Sequence, residues 1–256
     1  MNQTLRQASI LERIKQKGYQ TIDELVAALD VTPQTIRRDL NQMAKRGDIE
    51  RHHGGAGPIS STENTEYHTR KSQLSEEKQR ISQLLADHIP DHASLFINIG
   101  TTNEAIAQAL LSKTGLKVVT NNLNVASILS VKPDFTVIIT GGEVRSRDGG
   151  IVGEATRDFI HQFKLDYGII GISGIDDEGS LLDFDYQEVR IAQAIIDNSR
   201  FVYLAADHSK FGRNAMVRLG NLTQCTALFT DQKPPEKVQN LMDKAQVQLY
   251  IAKKEK

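Results

Sequence analysis

Four polar residues at helical spacing could pair with DNA: Gln34, Arg38, Asn41 and Lys45. At about 100° per residue they share one face of a helix, and apolar residues occupy the opposite face. Arginine and lysine bind phosphates and guanine, while the amides of asparagine and glutamine pair with adenine. The pattern predicts a helix that contacts DNA bases, although an ordinary solvated amphipathic helix has the same pattern.

A second group of residues has the chemistry to bind a phosphate. Residues 94–99 are an apolar run, and Gly100, Thr101 and Thr102 follow it where a helix is predicted to begin. A helix N-terminus offers unpaired N–H groups and a partial positive charge, and a glycine lets an anion approach the backbone. The two hydroxyls add donors, although threonines also cap helices without any ligand.

Residues after other predicted strands could complete this ligand site. Asn121 could bond a substrate hydroxyl, and Gly141 with Gly142 would let a ligand approach the backbone. Turn formation explains the two glycines almost as well. Arg145 offers a cationic fork for a phosphate, or for a salt bridge with a neighbouring acid.

Acids and a base at a further strand end add to the same site. Asp207 could bind polyol hydroxyls and Lys210 a phosphate, because both follow the apolar run 201–206. Asp183, Asp185 and Glu188 are further candidates, although a solvated acidic loop is an equally good interpretation of these three residues.

The elements around the predicted DNA-contacting helix support its assignment. Thr32 can cap this helix and Pro33 suits its first position, where the missing N–H breaks no bond. Thr21 and Glu24 form a capping box that begins a short preceding helix. Two short helices joined by a brief turn make a helix-turn-helix, whose second helix enters the major groove.

The segment after the helix pair has the outline of a wing. Residues 49–53 are short and extended, and two glycines then form a turn. Arg51 and His53 could reach a phosphate or the minor groove, or be plain surface residues. We therefore predict a winged helix-turn-helix. The predicted DNA contacts are Thr21, Thr32, Gln34, Thr35, Arg37, Arg38, Asn41, Lys45, Arg51 and His53.

The rest of the chain predicts a larger α/β domain. Seven apolar runs with amphipathic stretches between them are predicted strands: 94–99, 116–120, 135–140, 166–172, 201–206, 226–230 and 247–251. Runs with so few polar positions are typical of strands covered on both faces, and the alternation predicts a mainly parallel sheet. The predicted organisation is a DNA-binding domain at 1–57, a polar linker at 58–75 and an effector-binding and oligomerisation domain at 76–256.

Bulk properties exclude several classes of protein. The chain has 256 residues, a net charge of −1 and one cysteine, Cys225, which excludes an internal disulfide and any cysteine-based zinc site. Charge is mildly asymmetric, +2 over residues 1–57 and −3 over the rest. No signal peptide and no run of about 20 apolar residues is present. A soluble, cytoplasmic protein is expected.

These motifs resemble the DeoR family of bacterial transcriptional regulators. Residues 6–57 carry the resemblance through PQTIRRDL and RHHGGA. Nearly all of the remaining chain agrees through TNNLNVA (120–126), GGEVRSRDGGIVGEAT (141–156), GISGIDDEGSLLDFDYQEVR (171–190) and ADHSKFGRNAMV (206–217).

The resemblance implies a repressor that binds double-stranded operator DNA as a homodimer or homotetramer. It implies an effector domain similar to ribose-5-phosphate isomerase, which binds a small phosphorylated polyol or sugar, with glycerol 3-phosphate the expected effector. Ligand-binding roles carry over to Gly100, Thr101, Thr102, Asp207 and Lys210. The residues alone leave open the effector's identity, the choice between repressor and activator, and the choice between dimer and tetramer.

An enzyme with an appended DNA-binding module is the competing hypothesis. A sugar-phosphate isomerase needs a base within reach of the substrate carbon, and the catalytic glutamate of that fold has no clear counterpart in this chain. The Walker A motif of kinase-like enzymes and the Rossmann glycine motif are both absent from the sequence. We therefore predict no catalytic residues, no metal site and no cofactor.

Overall fold

The computed structural model describes residues 2–17, 20–52, 54–57, 67–72 and 74–254. The chain divides into two compact units, Met1–Ser61 and Thr62–Lys256. The predicted linker at 58–75 lies mostly outside the described residues. Its described part includes a helix that the polar composition did not predict, Tyr67–Ser72.

The first unit is a small helical core with a three-stranded antiparallel sheet in the order β1-β3-β2. Its elements are α1 Gln3–Lys17, β1 Gln20–Thr21, α2 Ile22–Leu29, α3 Pro33–Lys45, β2 Glu50–His52 and β3 Gly55–Gly57. The core consists of Ile10, Ile14, Ile22, Leu25, Ile36, Leu40, Met43, Ile49 and Ala56. This arrangement is the predicted winged helix-turn-helix, because α2 and α3 form the helix pair and β2–β3 the wing.

The helix pair begins and ends where its local sequence dictates. The Thr21 hydroxyl accepts a hydrogen bond from the Glu24 N–H at 3.1 Å, and the Glu24 carboxylate accepts the Thr21 N–H at 2.7 Å, so the predicted capping box forms. Asp30 takes a left-handed conformation, and its N–H donates to the Val26 carbonyl. Asp30 ends α2 and begins the turn into α3. Thr32 caps α3, because its hydroxyl accepts a hydrogen bond from the Thr35 N–H.

The second unit is built on a seven-stranded parallel sheet in the order β15-β14-β12-β9-β4-β5-β6. These strands are β4 Ser94–Ile97, β5 Lys117–Thr120, β6 Thr136–Ile139, β9 Leu165–Gly171, β12 Ser199–Ala205, β14 Ala227–Thr230 and β15 Gln248–Ile251. Every end of these strands lies within two residues of the end of the corresponding apolar run. The α/β fold and its parallel sheet are confirmed.

Helices cover both faces of this sheet. They are α4 Tyr67–Ser72, α5 Ser75–Asp87, α6 Thr101–Leu110, α7 Leu123–Leu129, α8 Glu154–Ile160, α9 Tyr186–Asp197 and α10 Glu236–Ala245. Alternate strand residues point to opposite faces: Leu95 and Ile97 belong to the core with α5, α6 and α7, and Phe96 to the core with α8, α9 and α10. Burial on both faces explains why the strand sequences are almost purely apolar.

Short antiparallel strands complete the second unit. They are β7 Glu143–Val144, β8 Ile151–Val152, β10 Gly174–Ile175, β11 Ser180–Asp183 and β13 Val217–Asn221. β7 pairs with β8, and β10, β11 and β13 form a separate sheet. Among the described residues, no helix is both long and apolar enough to cross a membrane.

The strand order creates a crevice at the carboxyl ends of the central strands of the parallel sheet. From β4 the chain proceeds to β5 and β6 on one side, and then returns through β9, β12, β14 and β15 on the other. The order therefore reverses between β4 and β9, which are hydrogen-bonded neighbours. In open parallel sheets, ligands bind outside the carboxyl ends of the strands at such a reversal.

Candidate functional site

Helix α3 presents the polar face that its sequence predicts. Ile36, Leu40 and Met43 are fully buried, which turns the opposite side of the helix to solvent. An open groove is lined by Gln34, Arg37, Arg38, Asn41, Gln42 and Lys45. All of these except Gln42 were predicted as DNA contacts. The groove carries two arginines, a lysine and three amides, which is the chemistry needed to contact phosphates and base edges.

A buried carboxylate on the other side of α3 fixes this helix against α1. Asp39 is inaccessible to solvent and accepts hydrogen bonds from the Arg6 guanidinium, from Gln3 Nε2 at 3.0 Å and from Gln7 Nε2 at 3.2 Å. Burial alone would raise the pKa of Asp39, but the hydrogen bonds, led by that from Arg6, outweigh burial and lower its pKa. The same two glutamines donate to Gln42 Oε1, at 2.7 and 3.1 Å.

The remaining predicted DNA contacts have local structural partners or fall outside the described residues. Thr21 and Thr32 cap α2 and α3, and the Thr35 hydroxyl lies 2.9 Å from that of Thr32. The Arg51 guanidinium donates to the Gly55 carbonyl at 2.9 Å, which braces the wing hairpin. His53 lies outside the described residues. DNA contact by these five residues, as by the five that line the groove, stays a prediction.

The second unit contains a cavity at the reversal of strand order. The segments after β4, β9 and β12 meet there, and α4 and α5 supply one wall. Its lining is Arg70, Leu74, Lys78, Ile99, Gly100, Thr101, Thr102, Asn103, Gly171, Ile172, Ser173, Asp183, Glu188, Ala205, Asp207, Ser209 and Lys210. The cavity volume of about 60 Å³ corresponds to a few water molecules, so the cavity suits a small polar ligand rather than a nucleotide.

The loop that the sequence predicts to bind a phosphate lies at one wall of this cavity. Gly100 has φ +142°, a conformation that favours glycine, and it precedes the first residue of α6. Thr101 and Thr102 are almost fully buried in the first turn of that helix. The first N–H groups of a helix have no intrahelical acceptors, so this turn can bind an anion.

Asn103 is a lining residue that the sequence did not indicate. Its Nδ2 donates to the carbonyls of Asn98 and Ile99, at 3.0 and 3.1 Å, which holds the loop between β4 and α6. Its Oδ1 is buried and has no hydrogen-bond partner among the described residues. An unpaired buried acceptor costs free energy. A ligand hydroxyl in the cavity would supply the missing donor.

Three cations and three acids face one another in the cavity. The cations are Arg70, Lys78 and Lys210, and the acids are Asp183, Glu188 and Asp207. Burial lowers the pKa of Lys78 to about 8 and also lowers that of Lys210. Burial raises the pKa of Asp183, and burial together with the Asp183 charge raises that of Glu188 to about 7.

Asp207 and Lys210 are positioned by a short 3-10 turn after β12. Asp207 Oδ1 accepts the Ser209 N–H at 3.0 Å, and the Lys210 N–H donates to the Asp207 carbonyl at 3.0 Å. Burial would raise the pKa of Asp207, but the nearby Lys210 ammonium and the bonds from Ser209 lower it. His208 contacts Asp231 at 2.7 Å, which raises the pKa of His208 and fixes the turn.

Four other predicted effector contacts, all of them described, lie outside the cavity lining. Asn121 donates to the Ile151 carbonyl at 3.1 Å. Any Cβ on Gly142 would lie 2.2 Å from the Thr156 hydroxyl, so this glycine permits close packing of the chain on itself, and the Gly141 carbonyl accepts that same hydroxyl. These contacts match the turn-forming alternative for the two glycines.

Arg145 is the fourth of these residues, and its guanidinium is held by three carboxylates. It pairs with Asp148 and Asp185, each at 2.8 Å, and with Glu188 at 2.9 Å. Its role in this structure is to hold together the acidic residues beside the cavity, which matches the salt-bridge alternative. Contact of these four residues with an effector stays a prediction.

Two of the cavity cations were missed because they come from segments remote in sequence. Arg70 belongs to α4, inside the predicted linker. Lys78 shares the buried face of α5 with Ile81, Ser82 and Leu85. A lysine at an apolar helix position was a readable signal, because lysine is seldom buried without a partner. Within the described part of the chain, no group of three or more His, Cys, Asp or Glu residues could hold a metal ion.

An exposed polar helix face in one unit and a partly open, charged cavity in the other are the features expected of a DNA-binding regulator with a sensor domain. The profile of the DeoR-like helix-turn-helix domain matches residues 6–62, and that of the DeoR C terminal sensor domain matches residues 73–232. The chain belongs to the DeoR family.

Curated relatives extend over nearly the whole chain. The "Glycerol-3-phosphate regulon repressor" of Escherichia coli is 57% identical over 98% of this chain and 100% of that protein. The protein of the same name from Haemophilus influenzae is 52% identical over 98% of both chains. The "HTH-type transcriptional repressor CsqR" of Escherichia coli is 40% identical over 96% of this chain and 94% of that protein. These relatives are named repressors rather than enzymes.

Solved structures include distant matches. A ribose 5-phosphate isomerase from Plasmodium falciparum aligns with a TM-score of 0.40 at 10% identity, over 54% of this chain and 53% of that chain. A likeness at this level carries no conclusion about the ligand or the activity.

Proposed function

We propose that this chain represses genes of glycerol 3-phosphate metabolism, and that glycerol 3-phosphate in the cavity releases it from operator DNA. The observation that carries the proposal is the joint presence of phosphate-binding and hydroxyl-binding groups in one small cavity. The names of the relatives at 57% and 52% identity support the choice of effector. Because DNA and this metabolite are both cytoplasmic, we propose that compartment for the protein.

The phosphate of the effector would bind at the N-terminus of α6. Gly100, Thr101 and Thr102 supply the loop, and Lys78 and Lys210 supply positive charge. A dianion would relieve the cost of holding these two ammonium groups in a buried site, which is the cost that lowers their pKa values. Charge-assisted hydrogen bonds to phosphate are among the stronger polar contacts in proteins.

The polyol part would bind among the hydrogen-bond acceptors of the same lining. Asp183, Asp207 and the unpaired Asn103 Oδ1 all accept hydrogen bonds, and the hydroxyls of glycerol 3-phosphate donate them. Inorganic phosphate would satisfy the cations alone, and glycerol would satisfy the acceptors alone. A molecule that carries both groups is therefore expected to bind more tightly than either part.

Operator binding would use the groove on α3. Gln34, Arg38, Asn41 and Lys45 form the proposed base- and phosphate-contacting set, with Arg37 beside them. One helix reads only a few base pairs, so we propose that at least two copies of the chain bind paired half-sites. Release by effector requires a coupling free energy, typically about 1–3 kcal/mol.

Calorimetric titration of the full-length chain tests this proposal. Glycerol 3-phosphate, ribose 5-phosphate, fructose 6-phosphate, inorganic phosphate and glycerol are compared, and operator release is then followed by fluorescence anisotropy. We expect the tightest binding and release with glycerol 3-phosphate. Release by a different sugar phosphate would replace the effector but keep the mechanism, and turnover of any of these compounds would favour an enzyme.

A matched pair of lysine variants tests the cavity itself. Lys210→Met removes a buried ammonium of the lining and is expected to lower effector affinity at least tenfold while operator affinity persists. Lys233→Met removes the same charge from an exposed position in the same unit and is expected to change neither affinity. Normal release of Lys210→Met from operator DNA would mean that the effector binds elsewhere.

A further inference from the structure

Polar contacts join helix α4 to the rest of the sensor unit. The Tyr67 hydroxyl lies 2.7 and 3.0 Å from the two carboxylate oxygens of Glu104. The Lys71 ammonium lies 3.7 Å from the same carboxylate, and the Arg70 guanidinium lies 3.9 Å from that of Asp148. This helix is the first described element of the chain after the wing.

Glu104 connects α4 to the phosphate-binding loop. It is 4% exposed, in the first turn of α6, and its N–H donates to the Gly100 carbonyl at 3.0 Å. The Asn124 amide also donates to the Glu104 carboxylate, at 3.0 Å, and keeps it in place. One helical turn therefore joins Glu104, which contacts α4, to Gly100, which would approach the phosphate.

A second connection runs directly through the cavity. Arg70 projects from α4 into the lining, and the Lys78 ammonium, also in the lining, donates to the Arg70 main-chain carbonyl. An anion in the cavity attracts both cations. A phosphate bonded to the Lys78 ammonium would compete with the α4 carbonyl for that donor, and it would compete with Asp148, 3.9 Å away, for the Arg70 guanidinium.

The Tyr67 hydroxyl bonds α4 to Glu104, whereas an anion in the cavity would attract the Arg70 guanidinium of the same helix. Tyr67 is outside the cavity lining, so it has no direct contact with a ligand there. A ligand shifts a conformational equilibrium only through a difference in its interactions with the two states. The charge attraction of Arg70 and Lys78 supplies such a difference for the position of α4.

We propose that Tyr67 is a positioning residue for induction: its hydrogen bonds to Glu104 hold α4 in the DNA-binding arrangement, and an anionic effector, through Arg70 and Lys78, draws α4 away from it. The inference rests on the proposed function of the cavity. It assigns to α4 the step that passes effector occupancy on to the DNA-binding unit.

The test is Tyr67→Phe in the full-length chain, which keeps the ring and removes the hydroxyl that donates to the Glu104 carboxylate and accepts from Asn124 Nδ2 at 3.2 Å. Loss of a contact found only in the DNA-binding arrangement must make the effector bind more tightly, because less free energy opposes the change. We expect the glycerol 3-phosphate concentration for half-release of operator to fall about threefold to tenfold, and the calorimetric dissociation constant to fall in parallel. A residue that merely supported the cavity would weaken effector binding when changed.

Two further variants complete the experiment. Tyr250→Phe removes an exposed hydroxyl that bonds Gln248 at 2.9 Å and is expected to change nothing. Lys71→Met weakens the same Glu104 contact without touching the aromatic ring, and a smaller tightening in the same direction is expected. If Tyr67→Phe fails to fold, Lys71→Met alone tests the proposal.

The outcomes separate the two proposals. Unchanged or weaker effector binding by both the Tyr67 and Lys71 variants, with normal release of the wild-type chain, overturns the role of α4 alone. Failure of the wild-type chain to bind any phosphorylated metabolite overturns the function of the cavity, and the inference with it.

Discussion

Lys78 shows how one buried side chain combines a cost and a use. Its ammonium is almost excluded from solvent on the inner face of α5, and burial lowers its pKa to about 8. A lysine in such a position is easily neutralised, and proteins seldom keep one without an anionic partner. In the cavity the partner we propose is the phosphate of the effector.

The lowered pKa of Lys78 predicts that effector binding depends on pH. Above pH 8 the Lys78 ammonium loses its proton, so phosphate binding must first take a proton up, and affinity is expected to fall by about tenfold between pH 7 and pH 9. Glu188, with a pKa near 7, adds negative charge over the lower part of this range and acts in the same direction. Calorimetry in buffers of different ionisation enthalpy would detect the proton uptake.

Lys78→Arg is the matched variant for this prediction. Arginine stays charged throughout the range, so the component of the pH dependence above pH 8 should disappear while binding at pH 7 persists. An unchanged dependence in Lys78→Arg would assign the effect to another group in the cavity.

At the scale of elements, sequence patterns predicted what local chemistry determines. The seven strands were predictable because burial on both faces leaves almost uninterrupted apolar runs, such as the one that became β4. The capping box at Thr21 and the turn at Asp30 were predictable because they need only neighbouring residues. Helix α4 was missed, because six polar residues form a helix there only with the support of Glu104 and Asp148.

The candidate site was only partly predictable for a related reason. Loops at strand ends can be recognised in the sequence, because each follows an apolar run. The residues Gly100 and Asp207, predicted on this basis to share a site, line the same cavity. Sequence patterns do not reveal the strand order, so β5 and β6 contributed candidates such as Asn121 that the fold places outside the cavity. Arg70 was missed because it comes from α4, which precedes the first strand of the parallel sheet and is not a strand-end loop.

The docking of α1 on α3 supports a prediction at this scale. Asp39→Asn or Arg6→Met alone breaks a mostly buried charge pair and should destabilise the first unit by about 2–3 kcal/mol. The pKa of Asp39 is lowered in the folded chain, so its stabilising contribution is present near neutral pH and is lost as the pH falls through that lowered value. Hydrogen exchange of α3 in the full-length chain measures the loss.

The double variant Arg6→Met with Asp39→Leu is the control for this pair. It replaces both charges by apolar groups and should exchange more slowly than either single variant, because no unpaired buried charge remains. Exchange in the parallel sheet should be the same in all three variants. Additive losses in the double variant would contradict the charge-pair interpretation.

The whole molecule separates its two kinds of recognition into two units. The DNA-binding face depends on local arrangement rather than on bulk charge, since the chain as a whole carries −1. With weak overall attraction to DNA, specific contacts and the proposed pairing of half-sites are expected to be the main sources of affinity.

Half-site spacing supplies the prediction at this scale. Insertion of about 5 base pairs between the half-sites of an operator turns them to opposite faces of the duplex, and affinity should fall at least tenfold. Insertion of about 10 base pairs restores the facing and should recover part of the affinity. Equal binding to all three operators, measured by anisotropy at one salt concentration, would indicate that the chain binds as independent monomers.

Cys225 gives this molecule an experimental advantage. It is the only cysteine in the sequence, lies buried at 5% exposure, and has a pKa that burial raises to about 12. Thiolates are the form that reacts with maleimides, so the native thiol is expected to resist labelling. A dye attached through an engineered cysteine at an exposed position such as Met216 could therefore report motion by fluorescence without removal of the natural residue.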